Sequence, residues 1–277
     1  MTYLRPLLVL LLLTSLRAAP FMNASDSFTW PGGAGAAVCL TYDDSLPSQL
    51  DIAYPQLEAA GVKGTFFLQA KADTMEQRLE EWRQVGAAGH ELASHSLYHP
   101  CRRGLPGRDW VAESRDLDHY TIERLRDELL LTNTLLQALD GNNARTFAYP
   151  CGDTAVANGQ ESFLPVTNEL YLASRGVSSP QLSSMKELDF NNTPAFDLSH
   201  QDLKSTIAYL ESCYKSGTVA IFLNHGVGGD YLVTDPQLHQ ELLDYLAANQ
   251  DRFWVDTFKA VMTHTRQEFE RLDWSVQ

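Results

Sequence analysis

Short apolar runs, rich in β-branched and aromatic residues, alternate along the chain with longer segments whose apolar residues repeat at helical spacing. Such runs are typical of buried strands. We predict six strands, at residues 38–42, 64–68, 91–94, 146–149, 219–223 and 253–255. Helices are predicted at residues 75–88, 121–139, 202–215, 236–248 and 257–272. Gly141 and Gly217 lie just beyond the second and third helix, where glycine is favoured as a C-terminal cap.

This alternation of strands and helices predicts a parallel sheet, and we expect the sheet to close or nearly close into a β/α barrel. An open, doubly wound sheet is the alternative. No glycine-rich phosphate loop follows the first predicted strand, and candidate site residues follow several different strands. Both observations favour the barrel, which draws its site residues from the ends of many strands.

The first twenty residues are typical of a secretory signal, with Arg5, an apolar run at 7–13, and the small residues Ala18 and Ala19. We therefore expect a signal peptide at about residues 1–24, one domain at 25–277, and a secreted or periplasmic protein. The run at 7–13 is too short to span a bilayer. No other stretch approaches the roughly 18 to 20 uncharged residues of a membrane helix, so no membrane span is predicted.

The chain is acidic, with 21 Lys and Arg against 35 Asp and Glu and a formal net charge of −14. This charge argues against nucleic acid and against an anionic membrane surface as partners. Neutral substrates fit better. The aromatic content of 10% suits stacking on sugar rings, although we expect most of these side chains in the core.

Two groups of polar residues predict a metal site. Asp43 and Asp44 end the first predicted strand, and His95 and His99 follow the third. Taken singly, an Asp before the Leu-Pro at 46–47 could simply cap a helix, and the histidine pair could be chance. Together, two imidazoles and one carboxylate form a three-ligand site with open positions, which is the catalytic pattern for zinc. The second carboxylate would remain free as a base.

Two further strand ends carry candidate residues. His225 follows the predicted strand at 219–223 and precedes a glycine-rich loop at 226–229. Taken alone, it could equally be a histidine on a surface turn without a catalytic role. The segment at 147–152, FAYPCG, runs from a strand into a turn containing proline and glycine. Such a turn can aim a backbone N–H at a developing oxyanion.

These elements together resemble a known family. The ordered set TYDDS at 41–45, HSLYH at 95–99, FAYPCG at 147–152 and LNH at 223–225 resembles the polysaccharide deacetylases, the nodulation-type carbohydrate esterases of family four. The intervening segments VKGTFF at 62–67 and GHE at 89–91 fit the same pattern. The resemblance extends from about residue 36 to residue 261.

The resemblance implies a deformed (β/α)7 barrel and a divalent metal held by the second Asp of the first motif and both histidines of the second. In this chain those residues are Asp44, His95 and His99. Zinc is the expected metal, and cobalt or nickel could replace it, because two His and one Asp accept all three.

The resemblance also implies the roles of the remaining motif residues. Asp43 is the expected general base, and His225 is the expected general acid that protonates the leaving group. The backbone N–H of Cys151 is expected to help hold the oxyanion, and Tyr149 of the same motif is expected to contact it or the substrate.

The chain departs from the family pattern at two points. Many members carry an Arg before the Pro of the third motif, where it orients the catalytic Asp, and this chain has Ala148 and Tyr149 there. Arg175 could supply the missing guanidinium from the next strand region. The Asp-Trp element whose Asp tunes the acid His is not recognisable, and Asp189 and Asp197 are the candidates for its carboxylate.

The implied activity is metal-dependent hydrolysis of N-acetyl or O-acetyl groups on a carbohydrate polymer or oligomer, with release of acetate. Amide and ester substrates are not distinguished by these residues. Two alternatives remain open. The chain could be an inactive carbohydrate-binding protein on the same barrel, because the two family features above are missing, or a metal hydrolase of a non-sugar amide.

The four cysteines lack the spacing of a structural zinc site, and in an exported chain they can pair. If the second and third motifs line one metal pocket, Cys101 and Cys151 approach each other at its rim, and we expect a disulfide between them. Cys39, in a predicted core strand, and Cys213, on a predicted helix, are expected to remain buried thiols.

Overall fold

The structure is a computed structural model that describes residues 27–177 and 181–275. The expected signal segment at 1–24 lies outside the described residues. Two-sided burial of apolar runs produces the six strands that the sequence predicts, and four further short strands form in the described residues. The strands are β1 Ala36–Asp43, β2 Thr65–Leu68, β3 Glu91–Ser94, β4 Phe147–Ala148, β5 Ala155–Val156, β6 Glu161–Ser162, β7 Ser174–Arg175, β8 Phe196–Asp197, β9 Val219–Asn224 and β10 Phe253–Val255.

Eight strands form one parallel sheet, with β7, β4, β3, β2, β1, β9 and β8 in that order and β10 paired to the start of β1. Strands β5 and β6 form a separate antiparallel pair. An isolated bridge between Arg175 and Thr193 joins β7 to the segment that leads into β8, so the curled sheet returns on itself. The predicted deformed (β/α)7 barrel is confirmed, and the open doubly wound sheet is not what forms.

Helices cover the outside of the barrel. They are α1 Tyr54–Ala60, α2 Asp73–Gln77, α3 Leu79–Ala87, α4 Ile122–Asp140, α5 Leu164–Leu170, α6 Leu203–Ser216, α7 Pro236–Ala248 and α8 Phe258–Arg271. Four of the five predicted helices are confirmed as α4, α6, α7 and α8. Gly141 and Gly217 take the left-handed conformation at the C-terminal caps of α4 and α6, as expected for glycine there.

The prediction of one continuous helix at 75–88 is wrong, because the helix breaks at Arg78. The backbone of Arg78 leaves the helical region there, with φ −129°, and its guanidinium binds Asp51 and Glu81. The sequence prediction also missed α1, the π-helical turn Gln49–Ala53 before it, α5, and the four two-residue strands β5, β6, β7 and β8.

Alternation along β1 sends its side chains to two different hydrophobic clusters. Val38 and Leu40 belong to one cluster, and Ala37 and Cys39 belong to the other, which also contains Phe67. Successive residues of a strand point to opposite faces, so Asp43 shares the face of Ala37 and Cys39. The last carboxylate of β1 therefore enters the side of the sheet on which the site forms.

Among the described residues, no helix is both long and apolar enough to cross a membrane.

Candidate active site

A cleft of about 790 Å³ opens at the carboxyl ends of the strands, where parallel barrels place their chemistry. It brings together candidate residues that follow β1, β3, β4 and β9. Its lining includes Asp43, Asp44, His95, His99, Tyr149, Cys151, Asp197 and His225, together with residues from two loops that the sequence did not single out.

The turn after β1 separates the two adjacent carboxylates. Asp44 and Ser45 have φ values of 81° and 58°, so the chain bends sharply as β1 ends. The side-chain amide of Gln49 fixes this bend, because it donates to the carbonyl of Asp43 and to the carbonyl of His225, the latter at 3.0 Å. The loop after β1 and the loop after β9 are thereby held together.

Asp44, His95 and His99 converge on one point. Oδ1 of Asp44 lies 3.2 Å from Nε2 of His95 and 3.2 Å from Nε2 of His99. Nδ1 of His95 donates to the carbonyl of Ala148 at 2.8 Å, which leaves Nε2 as the ligating nitrogen. His99 reaches the same point because Ser96 and His99 have left-handed backbone conformations, with φ values of 65° and 54°.

These three residues fit a divalent metal. Their ligand atoms lie within 4.8 Å of one another, and Oδ1 of Asp44 is buried without a hydrogen-bond partner among the described residues. Ligands bound to one ion at about 2.1 Å in tetrahedral geometry are roughly 3 to 3.5 Å apart, in agreement with the observed separations. Two neutral nitrogens and one carboxylate oxygen form the donor set of a catalytic site with open positions.

The electrostatics of Asp44 and His99 agree with this donor set. Burial raises the pKa of Asp44, but the nearby imidazoles of His95, His99 and His225 hold it well below its ordinary value. Burial lowers the pKa of His99 to about 4, so its imidazole is neutral near pH 7. Burial also lowers the pKa of His95, but Asp43 and Asp44 raise it above its ordinary value.

Asp43 is not part of this cluster, because it pairs with Arg175. Nη2 of Arg175 donates to Oδ2 of Asp43, Nη1 donates to the carbonyl of Gly176 at 2.7 Å, and both charged side chains are buried. Arg175 lies in register beside Ala148, so its guanidinium enters from the strand next to the third motif. Oδ1 of Asp43 is buried and accepts no hydrogen bond from the described residues.

His225 lies on the other side of Asp44. Its Nε2 is 3.8 Å from Oδ2 of Asp44, and its Nδ1 is buried without a hydrogen-bond partner among the described residues. Asp197 lines the same cleft but accepts from the backbone of Ser199, and Asp189 accepts from the backbone of Asn191. Neither of the two candidate aspartates thus holds the imidazole of His225 directly.

The third motif forms a tight turn beneath the cleft. Cys151 has φ 56°, and its carbonyl accepts from Arg108 at 3.1 Å. The ring of Tyr149 is buried, and its hydroxyl donates to the carbonyl of Asn191 at 2.7 Å and lies 2.8 Å from the hydroxyl of Thr167. The hydroxyl of Tyr149 is therefore engaged inside the fold.

Cys101 and Cys151 form a disulfide with Cα atoms 5.9 Å apart. It ties the segment of His99 to the turn of the third motif, and Sγ of Cys101 lies 3.6 Å from Nδ1 of His99. Cys39 and Cys213 are buried free thiols.

Sequence reasoning missed the residues at the mouth of the cleft. Trp110 is 63% exposed with its ring 6.3 Å from that of His99, and Arg115 stacks on Tyr98 at 5.6 Å. Tyr231, which is 50% exposed, reaches Asp44 from the loop after His225. Their positions in the sequence were the available signal for a place in the site, because Trp110 follows the histidine motif and Tyr231 follows the glycine-rich loop.

Comparison with known proteins finds a match to one family of sequences. The sequence model of the family described as polysaccharide deacetylase matches residues 32–162, which contain the first three motifs. Over this segment, which is a little under half of the chain, the sequence is similar to the polysaccharide deacetylases. Arg175 and His225 lie beyond the matched segment.

Among curated proteins, a gellan lyase from a Bacillus species is 26% identical over 148 residues, which are 53% of this chain. The chain spans only 5% of the length of that protein.

Solved structures share the fold at low identity. A probable polysaccharide deacetylase from Pseudomonas aeruginosa PAO1 has TM-score 0.62 and 14% identity, over 86% of this chain and 93% of that one. The CE4 domain of a multidomain xylanase from the hindgut metagenome of Trinervitermes trinervoides has TM-score 0.52 and 18% identity, over 87% and 92%. A CE4 family pseudoenzyme from Bacillus anthracis has TM-score 0.52 and 16% identity, over 82% and 65%. These likenesses show the fold alone.

We predict that the disulfide contributes about 4 kcal/mol to the free energy of unfolding, because it closes a loop of 50 residues. The Cys101→Ala/Cys151→Ala variant should lose this amount in urea denaturation. Unmodified protein under reducing conditions should lose the same amount, which makes it the matched control. Thiol counting on denatured, unreduced protein should find two free thiols, those of Cys39 and Cys213. Four free thiols, or an unchanged denaturation midpoint after reduction, would contradict the prediction.

Proposed function

We propose that the protein is a metal-dependent hydrolase that removes acetyl groups from a carbohydrate polymer or oligomer. The observation that carries this proposal is that two adjacent carboxylates have different partners. Asp44 faces two imidazoles, whereas Asp43 faces a guanidinium and keeps one oxygen free in the same cleft. This arrangement supplies a metal-ligand set and a separate base.

Asp44, His95 and His99 would hold the metal. Zinc suits two imidazoles and a carboxylate, and cobalt or nickel suits them as well. When bound there, a divalent ion supplies Lewis-acid polarisation of the acetyl carbonyl and acidifies water.

Asp43 is proposed as the general base. Its carboxylate lies beside the cluster without joining it, with Oδ2 3.9 Å from Nε2 of His95. Arg175 occupies Oδ2 and leaves Oδ1 to accept the proton of the water that attacks the acetyl carbon. The backbone N–H of Cys151 is proposed to donate to the oxyanion that this attack produces.

His225 is proposed as the general acid. Its position in the cleft wall, apart from the ligand imidazoles, suits protonation of the departing amine or alcohol. Transfer of that proton completes the hydrolysis, because the acetyl group leaves as acetate and the sugar recovers its amine or hydroxyl.

The mouth of the cleft supports a sugar substrate. Trp110 and Tyr231 expose aromatic rings there, and such faces stack well on sugar rings. The disulfide agrees with an oxidising compartment, so we also propose that the protein is secreted or periplasmic.

An inactive carbohydrate-binding protein is the second candidate. It is favoured by the absence of a hydrogen-bonded carboxylate on Nδ1 of His225 among the described residues. Binding of acetylated sugar without acetate release would select this candidate over the hydrolase.

We predict that acetate release from acetylated xylan or chitin oligomers depends on a divalent metal. Removing the metal with a chelator should lower activity at least about a hundredfold, and zinc or cobalt should restore it. Circular dichroism should change little, because the three ligands lie on loops at one end of a large barrel. His95→Ala and His99→Ala should behave alike, with the exposed His119→Ala as the matched control. Full activity after thorough demetallation would contradict the proposal.

We predict different effects for the two carboxylates. Asp43→Asn should retain metal binding and lose about a hundredfold or more in kcat, because only the base is removed. Asp44→Asn should weaken metal binding itself, because it removes the one anionic ligand. Calorimetric titration of each demetallated variant with zinc distinguishes them. Equal loss of metal affinity in both variants would show that the roles are wrongly assigned.

A further inference from the structure

The two oxygens of Asp44 have different neighbours. Oδ1 faces Nε2 of His95 and of His99, each at 3.2 Å. Oδ2 accepts a hydrogen bond from the hydroxyl of Tyr231 at 2.9 Å and lies 3.8 Å from Nε2 of His225. The hydroxyl of Tyr231 therefore binds Oδ2 of Asp44, the carboxylate oxygen that does not face His95 and His99.

The loop that carries Tyr231 is tightly folded. The N–H of Gly226 donates to the carbonyl of Tyr231 at 3.2 Å, and the N–H of Thr234 donates back to the carbonyl of Gly226 at 2.8 Å. A Cβ atom at position 226 would lie 1.9 Å from the carbonyl oxygen of Gly229. Only glycine permits this close approach of the backbone to itself.

The same loop is anchored to the segment that follows Asp44. The N–H of Ser48 donates to Oδ2 of Asp230 at 2.9 Å, and the N–H of Val227 donates to Oγ of Ser48 at 3.1 Å. Tyr231 is therefore held next to Asp44 although half of its side-chain surface is exposed. The position of its hydroxyl is therefore fixed by the loop and not by burial of the ring.

A hydrogen bond to one oxygen of a ligand carboxylate restricts how that carboxylate binds. A carboxylate can offer one oxygen or both to an ion, and the oxygen that accepts from a phenol is the less available one.

We propose that Tyr231 is a positioning residue that restricts Asp44 to binding the metal through Oδ1 alone. The inference rests on the proposed metal-dependent function. It assigns to the loop after β9 a role in shaping the metal centre, in addition to delivering His225.

The test uses Tyr231→Phe, which removes only the hydroxyl from a half-exposed ring and leaves the loop bonds intact. The matched control is Tyr98→Phe, which removes a hydroxyl from another tyrosine of the same cleft. The demetallated full-length protein and both variants are titrated with Co²⁺, and the dissociation constant and visible absorption are recorded. The visible bands of Co²⁺ weaken as its coordination number rises, so they report a second bound oxygen.

We expect Tyr231→Phe to lower the visible absorption per bound Co²⁺ roughly severalfold, because Oδ2 of Asp44 becomes available as an additional ligand, with Tyr98→Phe matching the unmodified protein. Equal spectra in the unmodified protein and Tyr231→Phe would overturn the inference, as would the same loss in Tyr98→Phe. If the unmodified protein itself fails to bind one Co²⁺ per chain, the proposed function has failed instead, so the two failures are distinguishable.

Discussion

The buried ion pair between Asp43 and Arg175 is the interaction on which the site depends. Each charge would cost several kcal/mol if it were buried alone, so the two side chains are tolerated there only together. They lie on β1 and β7, which are not neighbours in the sheet, so their contact crosses the interior of the barrel. Such a pair is weak evidence for stability, but it holds one oxygen of the proposed base, Asp43, and leaves the other without a hydrogen bond from the described residues.

The remaining features of the site follow from keeping two adjacent carboxylates apart. Strand alternation directs Asp43 to the face of Arg175, and the left-handed backbone at Asp44 turns the second carboxylate toward the histidines. The two loops that supply His99 and His225 are then fixed by covalent and hydrogen-bonded ties, the disulfide on one side and Gln49 on the other. The barrel provides the strand ends, and the disulfide and the hydrogen bonds of Gln49 hold the site residues in their relative positions.

Much of the fold could be predicted, because long apolar strands and capped amphipathic helices have strong local patterns. The break at Arg78 could not, since the local sequence there has helical spacing and the partner of Arg78 in the ion pair, Asp51, comes from an earlier segment of the chain. Strands β7 and β8 have two residues each, too few to show periodicity. The ligand set followed from motif order, whereas Tyr231 went unnoticed because its contact depends on how a glycine loop folds.

The most direct test of this account is a double-mutant cycle on the residual kcat of acetate release, with Asp43→Asn, Arg175→Gln and the double variant. If Arg175 acts by orienting the base, Arg175→Gln alone should lower kcat at least about tenfold, and the double variant should be no slower than Asp43→Asn. The free energy of unfolding of the double variant should also exceed that of Arg175→Gln, because Arg175→Gln alone leaves the charge of Asp43 buried without its partner. An unchanged kcat in Arg175→Gln, or losses that multiply in the double variant, would contradict the account.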